Sequence, residues 1–139
     1  MKTKSTWLLL VTVSVCALGA PASLEAVTND SAPLRINDTT QEMHERAAQA
    51  VMQGRLFEAL SELDEVLNLD PSNAPAYYNR GNVRYLRREF ELAINDFTSA
   101  LKYRPGFSAA TMNRGVALSN LNRLEEALAD LDKAAELDP

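Results

Sequence analysis

From Thr40 onward the apolar positions of this chain repeat with a long period. Residues compared 34 positions apart fall into matched columns: Leu56, Phe90 and Leu124; Ala59, Ala93 and Ala127; Leu60, Ile94 and Leu128; Leu63, Phe97 and Leu131. Pro71, Pro105 and Pro139 keep the same spacing, as do the triplets Asn79-Arg80-Gly81 and Asn113-Arg114-Gly115. Internal repetition at this period marks a stacked array of small units. Within each period the apolar residues have helical spacing, which predicts six helices over 41–53, 57–69, 75–87, 90–103, 109–121 and 124–137. The prolines close the even-numbered helices, because the residue before a proline is pushed out of α geometry.

The small residues predict how the helices pair. Gly81, Gly115 and Ala47 occupy one place in the first helix of each unit, and Ala59, Ala93 and Ala127 oppose them from the second. Side chains this small let two helix axes approach to the short end of the roughly 8 to 10 Å range. A lone pair of helices cannot bury its apolar faces, so each unit must lean on the next.

This pattern resembles the tetratricopeptide repeat. The segment from Ala74 to Phe107 carries Tyr77, Gly81, Phe90, Ala93, Phe97, Ala100 and Pro105 in the family's positions. The segment Thr40–Asn73 keeps Met43, Ala47, Leu56, Ala59, Leu63, Val66 and Pro71, and Ser108–Pro139 matches again two residues short. The resemblance implies an all-α fold: an α-solenoid of three helix-turn-helix units, at 40–73, 74–107 and 108–139, whose six antiparallel helices wind into a right-handed superhelix.

It also implies a function, since in the family the first helix of each unit lines a concave groove that binds a partner peptide. The matching positions include His44, Glu45, Ala48, Val51 and Met52 in the first unit. In the later units the expected peptide-binding residues are Tyr78, Asn79, Asn82 and Tyr85, then Met112, Asn113, Val116 and Asn120, with Leu86 and Ser119 beside them. Asn79 and Asn113 hold one column, and an amide both donates and accepts, as a peptide backbone requires. Glu45 interrupts that ladder in the first unit. Family members that clamp a chaperone's terminal carboxylate flank such asparagines with Lys and Arg; here those positions hold His44, Ala48, Ala109 and Asn113, and only Asn79 agrees. The expected partner is another protein or peptide, and a chaperone-tail clamp is disfavoured.

The N-terminal segment changes the picture of where this module works. Lys2 and Lys4, the apolar run Trp7–Ala17 and the small residues Ala20 and Ala22 follow the order of a secretory signal, which predicts cleavage after Ala22 and an exported protein, periplasmic or secreted. The run is shorter than the about 20 residues that a membrane span needs. Residues 23–39 lack a sustained period and are expected to form a flexible leader, with acceptor triplets at Asn29 and Asn37 for a host that glycosylates. The only cysteine, Cys16, lies inside the apolar run, so a processed chain has no thiol for disulfides, catalysis or metal. Val15 before it is a poor fit to a lipid-attachment motif.

Removing the two lysines moves the net charge from −5 to −7. Such a field repels phosphate backbones and anionic headgroups, which disfavours nucleic acid and membrane surfaces as partners. The same residues offer no catalytic constellation: one histidine, no Gly-rich phosphate loop and no nucleophile motif. The chain is expected to be non-enzymatic, with no cofactor or metal.

Two further readings concern charge and the last helix. Arg46, Arg80 and Arg114 repeat in step with Glu62, Asp96 and Asp130, each 16 residues later, which predicts an ion pair inside each unit in preference to an anion site. The final helix presents Leu124, Leu128 and Leu131 with Ala127, Ala134 and Ala135, and the sequence places no further polar helix after it. That face is expected to pair with a second copy, giving a possible homodimer through the third unit.

Overall fold

The computed structural model describes residues 36–139, with side chains from residue 39 onward, and the segment read as a signal and most of the expected leader lie outside the described residues. Six α-helices follow in chain order: α1 Ile36–Met52, α2 Leu56–Leu69, α3 Ala74–Leu86, α4 Phe90–Tyr103, α5 Ser108–Asn120 and α6 Leu124–Leu137. Among the described residues there is no strand, and the fold is an all-α solenoid of the kind the repeat predicts. Five helices match the sequence expectation within one residue at each end.

The exception is α1, which begins at Ile36, inside the segment read as flexible leader through residue 39. Its added turn continues the apolar stripe, since Ile36, Thr40, Met43, Ala47 and Ala50 step by four and three, and Thr40 through Ala50 in that series are buried. The polar run Asn37-Asp38-Thr39 hides this turn from propensity, although an acidic residue at a helix N-terminus suits the macrodipole. The Asn37 triplet therefore stands on a helix.

The units pack as antiparallel pairs, α1 with α2, α3 with α4 and α5 with α6, and successive units join through α2 with α3 and α4 with α5. Glycine sets the closeness of one crossing. A Cβ built on Gly81 stands 2.6 Å from Cε1 of Phe97, a ring that is wholly buried. At Gly115 the nearest atoms, the Ala127 carbonyl and Leu131 Cγ, are 3.1 Å away, so that crossing is less tight. One core joins α1, α2 and α3 through Leu63, Val66 and Val83; a second joins α4, α5 and α6 through Ile94, Phe97 and Leu118.

The turns repeat as well. Each first helix ends on a left-handed residue: Gly54 at φ 73°, Arg88 at φ 64° and Asn122 at φ 59°. Around each the following N–H reaches back five residues, Arg55 to Ala50, Glu89 to Arg84 and Arg123 to Leu118, which is the Schellman closure of a helix C-terminus. The second helices end on Asp70, Arg104 and Asp138 in extended geometry, each before a proline. After Asp70 a polar turn forms: its carboxylate accepts from the Ser72 hydroxyl at 2.7 Å, from the Ser72 N–H and from the Asn73 amide, and Asn73 caps α3 through Ala76 N–H. The Ser72 hydroxyl, with the Ser72 N–H and Asn73 against a smaller desolvation penalty, holds the Asp70 carboxyl below the usual range.

Candidate peptide-binding groove

The first helices of the three units, α1, α3 and α5, stand side by side, and hydrogen bonds between side chains tie each to the next. Asn113 on α5 donates through Nδ2 to Asn82 Oδ1 at 2.8 Å and to the Tyr78 hydroxyl at 3.3 Å, both on α3. Asn79 on α3 contacts His44 on α1, Nδ2 to Nδ1 at 3.4 Å. Further along, Asn120 donates to the Tyr85 hydroxyl at 3.2 Å and to the Val116 carbonyl. The Oδ1 atoms of Asn79 and Asn113 accept no hydrogen bond from within the described chain.

Two hollows open on this face and share Asn82. The larger, about 240 Å³, lies between α1 and α3 and is lined by His44, Ala48, Val51, Asn79, Asn82 and Leu86 over a floor of Ala47, Leu63 and Val83. The smaller, about 90 Å³, lies between α3 and α5 among Asn82, Tyr85, Asn113 and Val116. No lysine, arginine or carboxylate lines either.

Asn79, Asn82, Tyr85, Asn113 and Val116 thus line one surface, and Asn120 joins it by its bond to Tyr85. Met112 is exposed but lines neither hollow. The two tyrosines turn their rings inward. The Tyr78 ring packs against Phe107 at 4.8 Å and Phe97 at 6.1 Å, and Tyr85 meets Phe90 edge-on at 5.4 Å. Both rings are half-buried in the core and chiefly offer the groove their hydroxyls, because an aromatic ring beside the Gly81 crossing gains more from packing than from exposure. The sequence placed His44, Ala48 and Val51 on the groove-lining helix; that they enclose a hollow with Asn79, Asn82 and Leu86 follows from the helix-to-helix spacing.

The arginines turn to the opposite side. Arg80 grips Asp96 through Nε and Nη2 at 3.0 and 2.7 Å, Arg84 reaches the same carboxylate at 2.9 Å, and Arg114 holds Asp130 through two bonds of 2.7 Å. Burial alone would lower the Arg80 pKa, but the bonds to Asp96 and Asp64 outweigh it and raise it above the ordinary value. The Arg46 pair with Glu62 is longer, 3.7 Å. The pattern missed one feature: Arg80 Nη1 also reaches Asp64 of the preceding unit at 2.7 Å, and Arg114 Nη1 reaches Thr98 at 3.2 Å. Asp64 and Thr98 share a column 16 residues before their arginines, so the signal was present.

Residues 78–139 match a family model described as "Tetratricopeptide repeat", and residues 51–87 match another described as "TPR repeat". The chain belongs to the tetratricopeptide repeat family. It is 33% identical over 101 residues to the TPR repeat-containing thioredoxin TDX of Arabidopsis thaliana, covering 73% of this chain and 27% of that protein. It is 28% identical over 110 residues to DnaJ homolog subfamily C member 3 of Homo sapiens, covering 79% of this chain and 22% of the relative. The match therefore spans about a quarter of these curated relatives. Among solved structures, the Arabidopsis OM64 TPR domain superposes with a TM-score of 0.73 at 28% identity, covering 76% of this chain and 87% of that one. The first TPR of Spaghetti (RPAP3), bound to the HSP90 peptide SRMEEVD, superposes with a TM-score of 0.72 at 26% identity, covering 73% and 81%.

Among the described residues no helix is long and apolar enough to cross a membrane, and no group of three or more His, Cys, Asp or Glu side chains is placed to hold a metal.

Proposed function

We propose that this repeat protein is a non-catalytic adaptor that holds an extended segment of a partner protein along α1, α3 and α5. The amide row carries the reading: Asn79 and Asn113 are each fixed by one arm to the neighbouring helix while their oxygens are left to accept from a partner backbone. The Spaghetti domain takes an acidic peptide, but this groove offers such a chain no cation in either hollow. An uncharged segment fits it better. Replacing Asn79 and Asn113 together by Ala should weaken partner binding by about 1 to 3 kcal/mol with helicity retained, and calorimetry showing unchanged affinity would reject the amide row. The peptide SRMEEVD is the contrasting probe, and tight binding of it would overturn the preference for uncharged segments.

The reading places this activity outside the cytosol, supported by Lys2, Lys4 and the apolar run before Ala22. Intact-mass analysis of exported material should find a chain starting near Ser23.

A second contact is proposed at α6, where Leu124 and Leu128 are each 60% exposed although their column mates Phe90 and Ile94 are covered. Two copies meeting there bring Glu125, Asp132 and Glu136 against their own kind, so salt should strengthen the pairing by screening. Light scattering over protein and salt concentration tests this: a monomer under every condition excludes it, and Leu128→Glu should abolish any dimer.

A further inference from the structure

The hollow between α1 and α3 differs from a plain backbone-binding groove, and its chemistry names what enters it. Its floor of Ala47, Leu63 and Val83 is buried and apolar, and Ala48, Val51 and Leu86 extend the apolar lining to the rim. At about 240 Å³ it exceeds the roughly 150 Å³ apolar cavity that is known to take a benzene ring in another protein. The wall toward α5 is amide: Asn79 with a free Oδ1, and Asn82, whose Oδ1 is taken by Asn113 and whose Nδ2 donates to no group of the described chain. The equivalent space between α3 and α5 is only about 90 Å³, because Tyr85 and Asn82 stand where Val51 and Ala48 stand one unit earlier.

We propose that this hollow is a side-chain subsite, taking one bulky apolar residue, aromatic or aliphatic, from an extended uncharged peptide whose backbone beside it is held by Asn79 and Asn82. This rests on the groove reading above and adds to it a specificity the amides cannot supply. An acceptor and a donor, one helical turn apart on α3, match the N–H and C=O that an extended backbone presents beside an anchored side chain. A charged side chain is excluded by cost, since no lysine, arginine or carboxylate lines the hollow to offset its desolvation.

The probes are blocked serine–asparagine heptapeptides with a central phenylalanine, alanine or aspartate, titrated into the full chain by calorimetry. The phenylalanine peptide should bind at least about tenfold tighter than either other, the factor that burying half or more of such a side chain gives. Ala48→Phe, at an exposed position on the rim, should fill the hollow and equalise the phenylalanine and alanine peptides; Leu86→Ser, also exposed, should shrink the preference from the opposite wall. Equal affinities for all three peptides in the unaltered chain overturn the subsite and leave backbone binding intact. A preference that survives both substitutions places the side chain elsewhere and also overturns it. Absence of binding by every peptide rejects the groove reading and the subsite together.

Discussion

Gly54, Arg88 and Asn122 occupy one column of the repeat and share a left-handed backbone, but only the glycine adopts it without steric cost. For an ordinary residue that geometry costs about 1–2 kcal/mol, and asparagine tolerates it better than arginine. Arg88 is exposed and makes no ion pair, so little opposes its replacement. Arg88→Gly should raise stability by about 0.5–1 kcal/mol after allowing for the looser unfolded chain, and Asn122→Gly by less, read as the shift in urea midpoint at constant slope. The need for a left-handed residue at this column was visible at Gly54 and Asn122 but not at Arg88, since arginine carries no such signal and its conformation is imposed by the Schellman closure around it. Gly81 was legible for the opposite reason: its requirement is the absence of a side chain against Phe97, and a small-residue column states that directly.

Helix pairing was readable because it rests on short-range columns, whereas the links between units needed the structure. Arg80 joins Asp96 in its own unit, with side-chain exposures of 17% and 3%, and Asp64 in the preceding one. Removing the Asp96 carboxylate leaves two arginines without their buried partner, and breaking such a buried pair costs about 3–5 kcal/mol. Asp96→Ala is therefore expected to lie in that range, and Asp64→Ala, at a largely exposed site, to cost less than about 1 kcal/mol. A double-mutant cycle on Arg80 and Asp96 should return clear coupling energy; none would mean the arginine column serves something other than the fold. At α1 the sequence pattern failed for a related reason: the turn from Ile36 to Thr39 is polar in composition, and its place in the array depends on the stripe it continues toward the α2 core.

Across the molecule, the fold class and the face that forms the groove followed from the 34-residue period, while the character of the groove did not. Column matching put Tyr78 and Tyr85 on that face but could not show their rings turned into the core, and it could not foresee that the exchange of Val51 and Ala48 for Tyr85 and Asn82 leaves hollows of different size. The links between units carry one more consequence. In a linear array each unit is held by its own stability plus the coupling to its neighbours. The first junction has an arginine bound to a carboxylate at 2.7 Å, and the second has an arginine bound to a hydroxyl at 3.2 Å. The Asp64 bond is half exposed and worth little, however, and the second junction is also tied by Asn113 to Asn82 and Tyr78 and by Asn120 to Tyr85, against one contact of 3.4 Å from Asn79 to His44 at the first. The first junction is the weaker seam, so opening should begin there: amides of α1 and α2 should exchange with solvent before those of α5 and α6. A groove that spans this seam closes and loosens with it, so a ligand that bridges α1 and α3 should act as a splint, slowing exchange in the first unit more than in the third.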